Sequence, residues 1–123
     1  MKRIMVVDNE PDIQYLFSKK FKKEVKSGQI EFIFAMSAKE ALSYLTTEKN
    51  QFIDLVISDI NLPIINGLEM LKVIKEKYPG LKVFMLTAHG YDNNYKLAKE
   101  YGANDYLVKP INFAEIKEKI LNL

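Results

Sequence analysis

The 123-residue chain contains no cysteine, no tryptophan, one histidine and a single arginine, Arg3, among 18 basic residues. The absence of cysteine excludes disulfides, thiolate nucleophiles and cysteine metal sites. Arginine is the residue best suited to recognise phosphate or guanine through two parallel hydrogen bonds, and the chain has almost none of it. The net charge is only +2, so we expect no direct nucleic-acid partner.

Long hydrophobic runs are absent as well. No window approaches the roughly 20 consecutive apolar residues that span a bilayer, and the first residues lack an apolar stretch of signal-peptide form. We therefore expect no membrane insertion and a cytoplasmic location. The composition, 48% hydrophobic and 28% charged, is typical of a globular protein. The length predicts one domain over residues 1–123.

Five short apolar runs predict β-strands. Four of them are nearly continuous and rich in β-branched residues, which is typical of strands buried on both faces. These four are residues 3–7, 55–58, 83–87 and 105–108. The fifth run, residues 30–35, alternates more between apolar and polar residues. We therefore expect it at an edge of the sheet.

Amphipathic segments between these runs predict helices. The first helix is expected to bury four residues spaced four apart, namely Ile13, Phe17, Phe21 and Val25. The last is expected to bury Ile116 and Ile120, with Phe113 offset by one. Three helix starts have a polar cap with glutamate three residues on, the pattern of a capping box. These caps are Ser37, Asn66 and Asn112.

Strands and helices alternate along the chain, and this order predicts a parallel sheet covered on both faces, the doubly wound α/β arrangement. Ligands of such sheets bind at the carboxyl ends of the strands. Four predicted strands run into polar residues there: Asp8, Asp59, Thr87 and Lys109. Two acids, a hydroxyl and a lysine at one edge are suited to phosphoryl transfer onto an aspartate.

These residues, in this order, resemble the receiver domain of two-component response regulators, and the resemblance covers the whole chain. It also rests on Gly67, Tyr106 and the pair Lys109-Pro110. The resemblance implies a flavodoxin-like, five-stranded sheet of order 2-1-3-4-5. It implies a regulatory domain rather than an enzyme, with only Mg²⁺-assisted self-phosphorylation and dephosphorylation. Its implied partners are a sensor histidine kinase or histidine phosphotransfer protein and a downstream effector, and it allows a phosphorylation-dependent dimer.

The same resemblance assigns a role to each residue of the site. Asp59 would accept the phosphoryl group, Lys109 would pair with a phosphoryl oxygen, and Thr87 would donate its hydroxyl. Tyr106 would be the switch aromatic, whose ring turns inward when Thr87 moves, and Lys109-Pro110 would be a cis peptide. The implied Mg²⁺ or Mn²⁺ ligands are Asp8, Asn9, Asp59 and the backbone carbonyl of Asn61.

Asn9 departs from the family pattern, in which two adjacent acids follow the first strand. An amide oxygen can bind a hard cation but brings no charge, so we predict weaker Mg²⁺ binding than in a two-acid receiver. Asn9 is also the one residue that favours the alternative function, a phosphorylation-independent interaction module. Among enzymes, an aspartate-nucleophile phosphatase is the better rival, but Asn61 replaces its second carboxylate. A flavin carrier is disfavoured because Asp8 and Glu10 would repel a bound phosphate.

Three further features have two interpretations each. A run of lysines ends the first helix and is interpreted as a solvated face, with a docking patch as the alternative: Lys19, Lys20, Lys22, Lys23 and Lys26. Tyr91, Tyr95 and Tyr101 form an exposed aromatic surface or simply cover the sheet. His89 is expected at the rim of the site, where it and Asn61 would modestly affect the lifetime of the phosphoryl group.

Overall fold

A computed structural model describes residues 1–47, 52–88 and 93–123 of the protein. Its sheet is parallel and has the order β2-β1-β3-β4-β5, which confirms the predicted flavodoxin-like topology. The strands are β1 (Lys2–Val7), β2 (Ile30–Ala35), β3 (Leu55–Asp59), β4 (Lys82–Thr87) and β5 (Asp105–Val108).

Helices cover both faces of this sheet. They are α1 (Pro11–Lys20), α2 (Lys22–Lys26), α3 (Ala38–Thr46), α4 (Gly67–Lys77), α5 (Asn93–Glu100) and α6 (Phe113–Leu121). The three predicted caps are confirmed, since Ser37, Asn66 and Asn112 each accept a hydrogen bond from the backbone N–H three residues on. At α4 the box is complete, because the side chain of Glu69 also accepts from the N–H of Asn66.

The prediction of one continuous first helix with Val25 on its buried side is wrong. The helix breaks at Phe21, where φ is −109° and ψ is 17°. Phe21 remains fully buried, but beyond it Glu24 turns inward and Val25 is 42% exposed. A spacing of four residues already drifts from the 3.6-residue turn of an α-helix, and the break adds to this drift. Lys117 makes the inward position tolerable, since its Nζ lies 3.2 Å from Glu24 Oε2.

The core forms two layers. On the α1–α6 side, aromatic rings pack edge to face, with the Phe17 centroid 5.1 Å from that of Phe113. On the other side, aliphatic residues of β1, β3 and β4 pack against α3 and α4. The expected edge position of β2 is confirmed. The expectation that β5 is buried on both faces is wrong, because β5 forms the other edge and Val108 is 40% exposed.

Candidate functional site

A lysine and two buried carboxylates meet at the carboxyl edge of the sheet. Lys109 Nζ donates a hydrogen bond to Asp59 Oδ2 at 3.0 Å and lies 3.6 Å from Asp8 Oδ2. Asp8 is 2% exposed and Asp59 is 4% exposed. Lys109, Asp8 and Asp59 are therefore brought together as predicted. Their formal charges sum to −1, and both carboxylates are buried.

The two carboxylates are oriented by the same local device. Asp8 Oδ1 accepts a hydrogen bond from the backbone N–H of Glu10 at 2.9 Å. Asp59 Oδ1 accepts from the backbone N–H of Asn61 at 3.1 Å. Such turns, in which an aspartate side chain binds the backbone two residues on, are a common property of this residue type. One oxygen of each aspartate is thus held by the backbone, and the Oδ2 atoms are the ones nearest Lys109.

The lysine is positioned by the ends of β4 and β5. The backbone N–H of Lys109 donates to the carbonyl of Thr87 at 2.7 Å, and Lys109-Pro110 is a cis peptide, as expected. Burial acts to lower the pKa of Lys109, but the hydrogen bond and charge of Asp59, with the charge of Asp8, outweigh it and raise that pKa. Lys109 is therefore an ammonium group across the physiological range.

The chemistry of this cluster fits a divalent cation. Asp8 Oδ2 is buried and accepts no hydrogen bond from any described residue, and burial raises the pKa of the Asp8 carboxyl. A second carboxylate lies close by, and a cation would satisfy both at once. No group of three acidic, histidine or cysteine residues in the described ranges could hold a metal. Neutral oxygens must therefore complete the set of metal ligands. Asn9 follows Asp8 directly, and Asn61 lies two residues after Asp59. Two carboxylates with neutral ligands and waters suit Mg²⁺.

The role of Gly67 was missed by sequence reasoning. Its N–H donates to the carbonyl of Ile60 at 2.8 Å and closes the loop that leaves β3. A Cβ atom here would lie 2.1 Å from the carbonyl oxygen of Asp59 and 2.9 Å from Cα of Ile60. Only glycine permits this approach. One signal was available, since glycine is a poor choice for the first residue of a helix that already has the Asn66 cap.

Thr87 lies on β4, the strand that pairs with the strand of Asp59, and Tyr106 lies on β5, one strand further out. Thr87 ends β4 and is fully buried. Tyr106 is 8% exposed, and its ring packs edge to face on that of Tyr95, with centroids 5.2 Å apart and planes at 74°. The ring of Tyr106 is thus turned into the protein in this structure.

Of the two interpretations of the tyrosines, covering the sheet is confirmed for the two that are described. Tyr95 and Tyr101 are half-buried and pack on the core, since the sheet edge beside α5 needs large side chains to cover it. Tyr91 and His89 lie outside the described residues.

The fold and the cluster define a class of protein: a doubly wound parallel α/β domain with an acid–lysine site at the carboxyl edge. Residues 4–121 match the model of a family described as the response regulator receiver domain. The chain belongs to this family, and the predicted resemblance is confirmed. Receiver domains are regulatory domains rather than classical enzymes.

Relatives and solved structures agree with this assignment. The chain is 35% identical to the DNA-binding transcriptional regulator NtrC of Proteus hauseri, over 91% of the chain and 22% of that regulator. A receiver domain from Clostridium thermocellum matches at a TM-score of 0.86 and 32% identity, over 99% of this chain and 93% of that one. The response regulator TrrA of Thermotoga maritima, solved in complex with Mg²⁺ and BeF, matches at 0.79 and 36%, over 99% and 98%.

The first curated relatives that the chain matches are longer proteins, and the chain spans less than half of their length. Across residues 1–47, 52–88 and 93–123, no helix has the length and apolar character needed to cross a bilayer.

Proposed function

We propose that this chain is a working phosphoacceptor: one receiver domain over residues 1–123 that takes a phosphoryl group onto Asp59. The donor is the phosphohistidine of a sensor histidine kinase or a histidine phosphotransfer protein, and the readout is a changed contact with a downstream effector. Phosphorylation also controls any self-association. A cytoplasmic location is part of this proposal and is compatible with the absence of cysteine.

The observation that carries the proposal is the contact between Lys109 Nζ and Asp59 Oδ2 at 3.0 Å, with buried Asp8 beside it. Phosphoryl transfer depends on positioning and on cancelling charge at the phosphoryl oxygens. A carboxylate nucleophile that already faces an ammonium group meets both needs. An aspartate with only a structural role would gain nothing from a second buried acid next to it.

The chain's own residues support each part of the transfer. An oxygen of Asp59 attacks phosphorus, the new O–P bond forms, and the P–N bond to the donor imidazole breaks with the electron pair going to nitrogen. Asp8, Asp59, the Asn61 carbonyl and Asn9 would hold Mg²⁺, which would supply positive charge to the phosphoryl oxygens. Lys109 stays on the site and exchanges part of its contact with Asp59 for a phosphoryl oxygen.

The switch is assigned to Thr87 and Tyr106. Thr87 would donate its hydroxyl to the new phosphoryl group, and the space that it leaves would favour the inward position of the Tyr106 ring, which this structure already has. Support comes from the neighbouring positions of these residues, since Leu86 pairs with both Asp59 and Leu107 across the sheet. The inward ring of Tyr106 is the arrangement that phosphorylation would stabilise.

The test is an intact-mass measurement after incubation with acetyl phosphate and Mg²⁺. We expect a gain of one phosphoryl group that needs the metal, and no gain in Asp59→Asn. The matched control is Asp54→Asn, which removes an acid at the opposite end of β3, where Asp54 Oδ2 accepts from the backbone N–H of Arg3. An equal gain in Asp59→Asn would refute Asp59 as the acceptor.

One observation favours a second function, a receiver fold that acts without phosphorylation. Asn9 leaves the site with two carboxylates, and the described residues hold no three-acid cluster. Silence of the wild-type chain towards acetyl phosphate, continued in Asn9→Asp, would establish this alternative. Rescue by Asn9→Asp would instead identify the missing charge as the cause.

A further inference from the structure

A second surface lies at the other end of the strands. Here α1 and α2 face the start of β2 and enclose a groove of about 640 Å³. We call it the basic groove and define it by Lys22, Val25, Lys26, Gly28, Ile30 and Phe32. A six-residue strand is about 20 Å long, so the length of β2 separates the groove from the edge that carries Asp8 and Asp59.

The groove combines apolar walls with uncompensated positive charge. Val25 is 42% exposed and Phe32 is half-buried. Five exposed lysines lie on the helical side within eight residues: Lys19, Lys20, Lys22, Lys23 and Lys26. The only acid between residues 13 and 30 is Glu24, which is buried against Lys117. Glu31 also lines the groove, on the β2 side, but its charge is paired with Arg3, whose Nε lies 2.6 Å from Glu31 Oε1.

This clustering of lysines around an exposed valine costs free energy, and the fold itself does not require it. Like charges held four residues apart on a helix repel each other, and Lys22 and Lys26 are such a pair. Val25 leaves about two-fifths of its surface in water between them. An apolar floor with cations along one rim fits a ligand that presents an apolar side chain to the floor and negative charges to the rim.

We propose that the basic groove docks an acidic segment of a partner protein, with an apolar side chain against Val25 and Phe32 and carboxylates facing Lys22 and Lys26. The inference goes beyond the phosphoacceptor function and does not depend on it. Charge complementarity identifies the occupant as acidic, and the concave apolar floor identifies it as a peptide segment that inserts a side chain.

Nucleic acid and membrane lipid fit this surface less well. Nucleic-acid sites combine arginine with aromatic faces open for stacking, whereas Arg3 is paired with Glu31 and the Phe32 ring packs edge to face on Phe17 and Phe21. A helix that lies on a bilayer needs several exposed apolar residues along one face, and α2 has only Val25.

The probe is a fluorescein-labelled peptide with a central Leu-Phe pair flanked on both sides by Asp and Glu, titrated with the full chain by anisotropy. We expect Lys22→Glu/Lys26→Glu to weaken binding about tenfold or more, because two attractive contacts become repulsive. The matched control is Lys39→Glu/Lys96→Glu, which makes the same charge change at exposed positions on α3 and α5. It should change the affinity by no more than about twofold, since salt screens distant charges.

A second variant tests the apolar wall without a change in charge. Val25→Ser should weaken binding of the Leu-Phe peptide about threefold to fivefold, because a half-exposed valine contributes about 1 kcal/mol or less. The same substitution should leave a matched Ser-Ser peptide unaffected. On isotopically labelled wild-type protein, adding the peptide should change the NMR chemical shifts of the Val25 and Gly28 amides. This measurement tests the proposal even if a double variant fails to fold.

Three results would overturn the proposal: no peptide binding by the wild-type chain, equal weakening by both double variants, or shifts confined to other surfaces. Tighter binding of duplex DNA or of phosphatidylserine vesicles, with the same dependence on Lys22 and Lys26, would also overturn it and assign the groove to that polyanion. Phosphorylation by acetyl phosphate should be unchanged in Lys22→Glu/Lys26→Glu, which keeps the two functions separate.

Discussion

Within residues 1–47, 52–88 and 93–123, lysine meets a buried carboxylate at two places, and the two places balance charge differently. At the carboxyl edge of the sheet, Lys109 faces both Asp59 and Asp8. Between α2 and α6, Lys117 faces Glu24 alone, at 3.2 Å. Lys117 Nζ also lies 5.2 Å from the centroid of the Phe21 ring and 3.4 Å from the carbonyl oxygen of Lys20, to which it donates.

Both contacts leave one buried carboxylate oxygen without a donor within the described ranges, Asp8 Oδ2 and Glu24 Oε1. An orphan oxygen alone therefore does not mark a binding site. The difference is the second acid, which leaves the Lys109 cluster with surplus negative charge while the Lys117 pair is neutral. We infer that a pair which only joins two helices is balanced within the chain, whereas the cluster at the sheet edge is balanced by what it binds.

The largest expected effect comes from the backbone that holds Asp59. Gly67→Ala places a Cβ 2.1 Å from the Asp59 carbonyl oxygen, so β3 or α4 must shift, and we expect a loss of about 2–3 kcal/mol in unfolding free energy. Urea unfolding measures it. Gly80→Ala is the matched control, because its added Cβ meets nothing within 4 Å, and equal losses in both variants would contradict the close approach.

Removing each lysine breaks the two contacts in turn. Without divalent metal, Lys109→Met leaves two buried carboxylates unpaired, and we expect a loss of about 2 kcal/mol, reduced from a fully buried pair because Lys109 is partly exposed. Millimolar Mg²⁺ should restore part of that loss. Lys117→Met should also lower stability, but Mg²⁺ should not restore the lost stability. Thermal unfolding measures both effects, and restoration by Mg²⁺ in both variants would contradict the difference between the two contacts.

Adding an acid should sharpen the difference. Asn9→Asp raises the surplus negative charge at the site, so we expect Mg²⁺ to bind about tenfold more tightly, equivalent to about 1.4 kcal/mol. Isothermal titration of metal into both proteins measures this. Asn94→Asp, on α5, is the control for net charge, and equal Mg²⁺ affinities in the wild type and Asn9→Asp would remove Asn9 from the ligand set.

Replacing one acid with its neutral amide should change the unfolding free energy in opposite directions at the two contacts. Asp59→Asn relieves repulsion with Asp8 while Lys109 keeps one partner, so the metal-free protein should gain about 1 kcal/mol. Glu24→Gln should lower stability, because it leaves Lys117 without its counter-charge. Denaturant unfolding in the presence of a chelator compares them, and a shift of the same sign in both variants would count against surplus charge at the site.

The smallest effect is the pH dependence of the neutral pair. The backbone amide of Glu24 and then the Lys117 ammonium lower the pKa of the Glu24 carboxyl. A lowered pKa stabilises the folded state above the unfolded value, about 4.3, and that contribution disappears as pH falls through the folded value. The stability difference between wild type and Glu24→Gln should therefore be full at pH 7 and shrink below about pH 4. A constant difference would exclude this linkage.

Local sequence predicted the parts of the fold that depend on local physics. Apolar runs predicted the strand bounds to within one residue, and caps predicted three helix starts. Because ligands of parallel sheets bind at the carboxyl ends of the strands, Asp8, Asp59 and Lys109 were correctly expected at one edge. The inward turn of Glu24 after the break at Phe21 could not be predicted, because its partner Lys117 lies 93 residues further along the chain. Burial of β5 was overestimated, because its sequence resembles a central strand while its position is an edge.

The site was predictable in its membership but not in its geometry. Nothing in the residue order indicates that Oδ1 of each aspartate is held by the backbone and that Oδ2 lies nearer the lysine. The close approach of Gly67 to Asp59 was equally hidden, since it joins a helix start to the end of a strand across a loop. Such features arise only when distant backbone segments pack together.

The edge-to-face contact between Tyr106 and Tyr95 has a practical consequence for optical spectroscopy. The chain has seven tyrosines and no tryptophan, so its near-ultraviolet circular dichroism comes largely from tyrosine side chains. Two rings 5.2 Å apart and at 74° to each other form an asymmetric pair of chromophores. Any event that separates them changes this signal, so the native protein carries an unlabelled optical reporter of the Tyr106 ring.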